Sequence, residues 1–512
     1  MFRSKSWNFT ILLSIAVLAM LTLLNVFVIS GAKKARLPKP LCEGCNVVVL
    51  DIDVLRADAV DCSNNFDETP NICRFAQQSV YFANNTSLSD LTKTNYVSTI
   101  TSLYPSSHGV WSEIHKFNHK PVTLAEVLKR NGYKTEYHGL VSDLIMVEDD
   151  FDLLSEDNCL LCDDKPTPSI FAGLTPKSHL FKYFYFDDLH FPYFPRDNKP
   201  VMDSKEAPHG LPVTYQQFMN NFESYVLDNP EQVFYKDFIE KNKNLFDDPE
   251  KNRDKIIEKY WEGVRTDEKV YIKNAWEPYK QSFLNFIDQN NPGDVDYIKN
   301  IYKITLARLD AKIGELLDGL DNSAISDNTV VILKTDHGEE FFEHGRLTHG
   351  NDLYQELIHT PLIFRVPGVK PVWVNGLTMD LDFMPTLLDI LGVDIPSTAQ
   401  GKSLVPMLVD AKARVRDYQI AQKGGDNHVA SFRNGDWKLI MKLDTPSGLY
   451  DLSSDPGETK NLIEDNFAIA HELFSQYHSI VDLLPKYGPK ESPLPVWIDE
   501  EKRQRLKDEG YF

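Results

Sequence analysis

The chain has 512 residues, of which 42% are hydrophobic and 25% are charged, and its formal net charge is -21. This composition is typical of a folded protein with a large core and excludes an intrinsically disordered chain. Nucleic acids are bound by clustered Lys and Arg side chains that neutralise phosphates, so the acidic balance argues against a nucleic-acid partner.

The first predicted element is an apolar run from Ile11 to Ile29, preceded by Arg3 and Lys5. The run is about long enough to span a bilayer, and it exceeds the apolar core of a typical cleaved signal peptide. We therefore expect residues 1–40 to form an N-terminal transmembrane helix, retained as a membrane anchor, and a short linker. This arrangement predicts a single-pass protein whose catalytic domain is extracytoplasmic, in a periplasmic, extracellular or lumenal space.

The cysteines favour an oxidising compartment. In an exported chain an even number of cysteines indicates disulfides, and a bridge from Cys62 to Cys73 is the preferred single pairing. The alternative is a tetrahedral zinc site built from two C-x-x-C pairs. The six cysteines are Cys42, Cys45, Cys62, Cys73, Cys159 and Cys162.

Asn46 to Leu50 is a continuous apolar and β-branched run, which predicts a buried parallel strand that delivers Asp53 just beyond its end. The segment Ser87 to Asn95 then precedes a run that looks helical through Thr101. A hydroxyl at a helix N-terminus lies in positive potential, which favours an alkoxide nucleophile, and Thr92 fits that place. The alternative is that Ser89, Asp90 or Thr92 only caps the helix.

Helical spacing predicts helices over Val122–Asn131 and Tyr297–Leu320. Between them, the aromatic-rich and charged region 201–292 is predicted to be a helical insertion that covers the site as a lid. We assign residues 41–408 to a catalytic domain of the α/β class. Strand-like runs after Leu408 predict a small C-terminal subdomain and tail over residues 409–512.

A second apolar run, Thr329 to Leu333, is followed by Asp336 and His337. In open α/β sheets, ligands gather at the carboxyl ends of strands, so we expect these two side chains to share a metal site with Asp53. Two carboxylates and an imidazole suit a divalent cation such as zinc, manganese, magnesium or calcium.

An ordered set of motifs between residues 45 and about 465 resembles the sulfatase family of the alkaline phosphatase superfamily. This resemblance implies an α/β/α sandwich with a mostly parallel central sheet and a small C-terminal α+β subdomain. The motifs are NVVVLDIDVLRAD, LTKTNYVSTITSLYPSSHGV, FDDLHFPY, TDHGEEFFEHGRLTHGNDLYQELIHTPLIFRVPG, MDLDFMPTLLDILGV and GLYDLSSDPGETKNL.

The resemblance places Asp53, Thr92, Asp336 and His337 at metal ligands and Thr92 at the nucleophile. Sulfatases carry Cys or Ser at that position because the residue is converted to formylglycine, which Thr92 cannot form. The arginine of their motif is replaced by Tyr96. The threonine segment resembles instead nucleotide pyrophosphatase/phosphodiesterases and phosphoethanolamine transferases.

The same resemblance implies that Asn95 donates hydrogen bonds to the substrate. It also implies that His190 and His349 contact the substrate phosphate or protonate the leaving oxygen. Thr94 is an alternative nucleophile, but this register breaks the spacing to the following turn. The spacing from Asp187 and Asp188 to His190 differs from that of two-metal phosphodiesterases, so one metal is favoured and a second remains an alternative.

We therefore predict a metal-dependent hydrolase or transferase that acts on an anionic ester of a lipid or glycan through Thr92, with phosphodiester or phosphotransfer chemistry favoured. One alternative is a sulfuric ester hydrolase that works without formylglycine. The other is a degenerate homologue that binds a ligand without turnover.

Overall fold

The computed structural model describes residues 40–60, 62, 69–111, 120–139, 148–155, 160–161, 175–204, 207–208, 211–265, 276–424 and 428–486. The predicted membrane anchor at Ile11–Ile29 lies outside these residues, as do Cys159 and Cys162. Within the described part of the chain, no helix has the length and apolar character needed to cross a bilayer.

An eight-stranded sheet carries the predicted site. Its strands lie in the order β4-β3-β5-β1-β6-β7-β2-β8. β7 is antiparallel to β6 and β2, and every other adjacent pair is parallel, which confirms the predicted α/β class with a mostly parallel sheet. The strands are β1 (Asn46–Ile52), β2 (Val80–Thr86), β3 (Lys134–His138), β4 (Leu153–Ser155), β5 (Leu180–Phe186), β6 (Thr329–Lys334), β7 (His359–Arg365) and β8 (Val372–Met379).

The two predicted acid-bearing strands are direct neighbours. β1 pairs in parallel with β6 in a register that sets Asp51 opposite Lys334. On its other side β1 pairs in parallel with β5, so that Ile52 lies opposite Phe186. Because all three strands end at the same edge of the sheet, the residues that follow them converge there.

Helices complete the fold. The predicted helices Val122–Asn131 and Tyr297–Leu320 correspond to α4 and α11 below. The helices are α1 (Pro70–Gln77), α2 (Thr92–Thr101), α3 (Pro105–His108), α4 (Leu124–Arg130), α5 (Tyr215–Asp228), α6 (Pro230–Val233), α7 (Lys236–Lys241), α8 (Lys243–Phe246), α9 (Arg253–Arg265), α10 (Trp276–Leu284), α11 (Pro292–Asp321), α12 (Gln355–Ile358), α13 (Phe383–Leu391), α14 (Val405–Val409) and α15 (Phe467–Val481).

Both faces of the sheet are covered, which explains why β1 is apolar from Val47 to Leu50. Val48 and Leu50 pack into a core that includes residues of α1 and α11. Val47 and Val49 pack into a second core that includes residues of α2 and α13. A strand buried on both faces needs no polar positions, and its alternate side chains serve the two cores.

Residues 201–292 contain helices α5 to α10, so the described part of this region is helical as predicted. Many of its aromatic side chains are buried in the core, whereas Phe286 is exposed. Phe218, Tyr279 and Phe283 each make an edge-on ring contact with Phe191, which directly follows His190. The insertion therefore supports the segment that carries His190.

A second, antiparallel sheet follows α14, with the strand order β12-β11-β10-β9. Its strands account for the strand-like runs predicted after Leu408, and α15 contributes Leu473 and Tyr477 to the core beneath the sheet. The backbone N–H of Gln422 on β9 donates to the carbonyl of Leu88 at 2.7 Å, so this sheet contacts the segment before α2. The strands are β9 (Tyr418–Lys423), β10 (Val429–Asn434), β11 (Trp437–Lys442) and β12 (Thr445–Asp451).

Two disulfides lie within the described residues. One joins Cys62 to Cys73, as predicted. The other joins Cys42 to Cys45, so these two thiols are not ligands of the alternative zinc site.

Candidate active site

The predicted ligands Asp53, Asp336 and His337 meet at the ends of β1 and β6. One ligand atom from each residue lies within 4.8 Å of the others, and all three residues are buried. The Nε2 atom of His337 is 3.4 Å from Oδ2 of Asp336 and 4.0 Å from Oδ1 of Asp53. β1 and β6 are adjacent parallel strands. Their pairing brings Asp53 close to Asp336 and His337, which lie almost 300 positions later in the sequence.

The donor set fits a divalent cation. Oδ1 of Asp53 is buried and has no hydrogen-bond partner within the part of the chain that the structure describes. Burial, followed by the charge of Asp336, raises the pKa of Asp53 well above its usual value. A buried carboxylate beside another carboxylate is costly unless a cation offsets the charge, and oxygen and imidazole ligands suit such a cation.

Thr92 is the first residue of α2, and its hydroxyl is within reach of this cluster. Oγ1 of Thr92 lies 3.2 Å from Nε2 of His337. Nδ1 of His337 is 2.9 Å from the carbonyl of Gly338 and must donate to it, so the Nε2 lone pair of the neutral ring points toward Thr92. Thr94, the alternative nucleophile, is fully buried, and no described residue forms a hydrogen bond with its Oγ1. The geometry therefore favours Thr92 over Thr94.

Asn95 has a different role from the one predicted. Its Nδ2 donates to the carbonyl of Asp336 at 2.6 Å and to Oδ2 of Asp380 at 2.8 Å, and its Oδ1 accepts the N–H of Leu88 at 2.7 Å. Both amide hydrogens are thus used within the protein. The prediction that Asn95 donates to substrate is corrected to a positioning role, because the residue ties α2 to the loop of Asp336.

A buried ionic network underlies the cluster, and the sequence analysis missed it. Nζ of Lys334 lies 3.0 Å from Asp51 and 3.6 Å from Asp380, and all three side chains are almost fully buried. The hydroxyl of Tyr183 also donates to Asp51. Through Asp380 the network reaches Asn95, so it couples the β1 and β6 ends to the start of α2. The available signal was a charged residue at the end of each otherwise apolar strand.

His190 and His349 line one wall beside His337. The ring centroids of His349 and His337 are 4.3 Å apart, and those of His349 and His190 are 5.2 Å apart. Burial lowers the pKa of both His190 and His349 to about 4. The predicted pair of histidines is therefore brought together next to the ligand cluster.

Glu339 is a further site residue that the sequence analysis did not assign. Nδ1 of His349 lies 3.2 Å from Oε1 of Glu339, which is fully buried. A bridge between Phe341 and Leu347 folds the intervening segment back on itself and returns His349 to Glu339. Burial raises the pKa of Glu339 to about 7. A carboxylate on one ring nitrogen fixes the orientation of the imidazole and leaves the other nitrogen for chemistry.

Asp187 and Asp188 do not join the cluster. Asp187 is paired with Arg196 at 2.7 Å, and Asp188 accepts the N–H groups of Leu160 and Leu161 at 3.0 and 2.8 Å. Oδ1 of Asp187 is nevertheless buried and has no hydrogen-bond partner among the described residues. The number of metal ions therefore stays a prediction.

Glu340, His344 and Glu356 form a second group of ligand-type side chains. Nδ1 of His344 is 2.6 Å from Glu356, and its Nε2 is 3.3 Å from the carbonyl of Glu458. Both ring nitrogens are therefore engaged by the protein, and hydrogen bonding and charge pairing with Glu356 raise the pKa of His344 to about 9, against the opposing effect of burial. The contact between His344 and Glu356 is therefore a structural ion pair.

Comparison with known proteins places the chain among sulfatases. A family model described as Sulfatase matches residues 45–157 and 176–393, and one described as N-sulphoglucosamine sulphohydrolase, C-terminal, matches residues 343–481. The chain is 32% identical to arylsulfatase K of Mus musculus over 218 residues, which are 40% of this chain and 39% of that enzyme. The match thus spans less than half the length of this relative.

Two solved structures share the fold. One, described in complex with its substrate D-glucosamine-2-N,6-O-disulfate, has a TM-score of 0.62 and 19% identity and covers 87% of this chain and 100% of its own. The other is a phosphonate monoester hydrolase from Silicibacter pomeroyi, with a TM-score of 0.59 and 17% identity, covering 86% of this chain and 94% of its own. The same architecture therefore occurs in proteins described with different ester substrates.

Proposed function

This chain belongs to the sulfatase family of hydrolytic enzymes, and from that premise we propose that it cleaves phosphate esters, by hydrolysis or by transfer to an acceptor hydroxyl, with Thr92 as the nucleophile. The observation that carries the proposal is the 3.2 Å separation of the Thr92 hydroxyl from Nε2 of His337 within the ligand cluster. Threonine cannot become formylglycine, so the nucleophile here is an ordinary hydroxyl. The phosphonate monoester hydrolase fold supports phosphorus chemistry on this architecture by analogy only.

A divalent cation held by Asp53, Asp336 and His337 would lower the pKa of a nearby hydroxyl and neutralise charge on the ester oxygens. Oγ1 of Thr92 gives up its proton to solvent and attacks phosphorus, the bond from phosphorus to the leaving oxygen breaks, that oxygen takes a proton from His349, and a phosphothreonine results. Water or an acceptor hydroxyl then gives a proton back to His349 and attacks the same phosphorus, the bond to Oγ1 breaks, and Oγ1 takes a proton from solvent to restore the Thr92 hydroxyl. Asn95 and the buried ionic network below the cluster keep Thr92 and Asp336 in fixed positions during both steps.

His349 supplies the proton to the leaving oxygen in this proposal. Glu339 holds Nδ1 of His349, which leaves Nε2 for the substrate. A bound anionic ester favours the charged form of a nearby imidazole, in opposition to burial. His190, on the far side of His349, completes the wall and contacts the ester oxygens.

The extracytoplasmic location and the membrane anchor at Ile11–Ile29 are part of the same proposal. The disulfides Cys42–Cys45 and Cys62–Cys73 support it, since such bonds persist in oxidising compartments. An acidic protein that acts on an anionic ester also needs a local cation, which the cluster is built to hold.

Assays of the purified chain with 4-nitrophenyl phosphate, bis(4-nitrophenyl) phosphate and 4-nitrophenyl sulfate test the reaction class. We expect turnover of a phosphate ester that is lost on chelation and restored by Mn²⁺ or Zn²⁺. The relatives described as sulfatases favour a second function, sulfate ester hydrolysis, and turnover of the sulfate alone would establish it instead. Absence of turnover on all three, with metal bound, would favour a binding homologue.

Glu339→Gln tests the leaving-group role of His349. We expect kcat/KM to fall by about 100-fold for an alkyl phosphate, whose leaving oxygen needs a proton, and by less than about 10-fold for 4-nitrophenyl phosphate, which leaves as an anion. Glu340→Gln is the matched control. The neighbouring Glu340 accepts the N–H groups of His344 and Arg346 at 3.0 and 2.9 Å and lies outside the proposed machinery. Equal losses on the two esters in Glu339→Gln would contradict the role.

A further inference from the structure

The hydroxyl of Tyr185 reaches the ligand cluster and has no part in the reaction described above. Tyr185 lies on β5, and its side chain is buried. Its hydroxyl donates to Oδ2 of Asp336 at 3.3 Å. β1 lies between β5 and β6 in the sheet, so the phenol extends across the end of β1 to a residue that follows β6. A buried tyrosine hydroxyl needs a polar partner, and here that partner is a predicted metal ligand.

The two carboxylate oxygens of Asp336 have different surroundings. Oδ1 accepts the backbone N–H of His337 at 2.8 Å, so the main chain holds this oxygen. Oδ2 lies 3.4 Å from Nε2 of His337, and both of these atoms are acceptors, so Oδ2 is the oxygen suited to bind a cation. Because Tyr185 donates to Oδ2, it fixes the rotation of the carboxylate that presents this oxygen.

Thr92 and Asp53 are close to the same phenol. Burial raises the pKa of Tyr185 well above its usual value, and a hydrogen bond with the Thr92 side chain acts in the opposite direction. A hydrogen bond from Tyr185 likewise opposes the rise that burial causes in the pKa of Asp53. The phenol therefore lies among the ligand cluster and the proposed nucleophile.

Tyr183 offers the same group from the same strand to a different partner. Successive side chains of a strand alternate between its faces, so Tyr183 and Tyr185 lie on one face of β5. The hydroxyl of Tyr183, which is also buried, donates to Asp51. Asp51 is paired with Lys334 and belongs to the ionic network rather than to the ligand cluster. The two phenols thus separate support of the network from support of the cluster.

We propose that Tyr185 is a positioning residue for the metal site, whose hydroxyl holds Asp336 in the orientation in which Oδ2 binds the divalent cation. The proposal rests on the proposed function only in assuming a cation at the ligand cluster. Hydrogen bonds from surrounding groups orient metal ligands, and their loss typically weakens metal binding by about 10- to 100-fold. Tyr185 acts through Asp336, so it sets the affinity for the cation without contacting the substrate.

Tyr185→Phe tests this role, because it removes the hydroxyl and keeps the ring. We expect the dissociation constant of Mn²⁺, measured in the full chain by electron paramagnetic resonance of the free ion, to rise by about 10- to 100-fold. The variant should remain folded in the presence of a chelator, as checked by circular dichroism. If the phenol acts through Asp336, adding Tyr185→Phe to Asp336→Asn should raise the dissociation constant by less than about threefold further.

Tyr183→Phe is the matched control. It removes the same group from the same face of β5 and leaves Asp51 with its partner Lys334. We expect this variant to melt at a lower temperature, since Asp51 loses one donor, and to change the Mn²⁺ dissociation constant by less than about threefold.

A Mn²⁺ dissociation constant of Tyr185→Phe within threefold of the parent value would overturn the proposal. So would equal weakening in Tyr183→Phe, an undiminished effect in the Asp336→Asn background, unfolding of Tyr185→Phe alone, or no Mn²⁺ binding by the parent chain. No ester is used in these measurements. A chain that shows the expected differences in Mn²⁺ binding but turns over no phosphate ester would therefore contradict the proposed function and support this inference.

Discussion

Replacing Thr92 by valine is expected to lower kcat/KM for the phosphate ester by about 10³-fold or more, since a residue that forms the covalent intermediate has no substitute. Valine keeps the shape and β-branching of threonine and removes only the hydroxyl that lies 3.2 Å from His337. The measurement is steady-state turnover, together with a search for a phosphorylated residue 92 by mass spectrometry in the parent chain. Most of the bound metal should remain, because three of the four predicted ligands, Asp53, Asp336 and His337, are unchanged.

Thr94→Val is the matched control for this change. Thr94 lies two residues after Thr92, is completely buried, and its hydroxyl has no hydrogen-bond partner among the described residues, so the isosteric change is expected to leave turnover nearly intact. The two variants therefore separate the two registers that the sequence allowed. Turnover that survives in Thr92→Val but collapses in Thr94→Val would reverse the assignment of the nucleophile.

The ligand cluster was predictable because two independent patterns agreed on it. β1 carries an apolar run from Val47 to Leu50 and β6 one from Val330 to Leu333, and such strands are recognisable without knowledge of their partners. Parallel strands deliver the residues after them to one edge, so Asp53 and Asp336 had to meet once the strands were adjacent. The resemblance to sulfatase motifs then assigned Thr92 as the nucleophile at this site. The structure adds the distances between these side chains, which the sequence does not give.

The role of Asn95 and the ionic network were not predictable in the same way. A side-chain amide bonds to whatever acceptors surround it, and the acceptor Asp380 is 285 positions away in the sequence. Lys334 and Asp51 similarly appear as isolated charges in apolar runs until the register sets them opposite each other. The pairing of Glu339 with His349 depends on a tight local fold-back between them. Long-range partners of polar groups are decided by packing, which a single sequence does not encode locally.

The second prediction with a large expected effect concerns Asp53. Asp53→Asn is expected to weaken binding of a divalent cation by at least about 100-fold and to reduce turnover in parallel, with partial recovery in excess metal. The amide keeps one oxygen but loses the charge that balances the cation. Metal content is measured by mass spectrometry after dialysis, and turnover is measured across a metal titration. Full retention of metal in this variant would remove Asp53 from the site.

Asp51→Asn is the control that makes this result specific, because both changes replace a buried carboxylate of the same strand region by an amide of equal shape. Asp51 is paired with Lys334, so its loss should lower the free energy of unfolding by about 3 to 5 kcal/mol while the metal stays bound. Asp53 has an unpartnered oxygen and faces Asp336, so in the presence of a chelator its neutralisation should instead stabilise the fold. Denaturant unfolding of the two chelated variants should therefore give shifts of opposite sign. A shared destabilisation would mean that Asp53 is held by protein partners rather than kept for a cation.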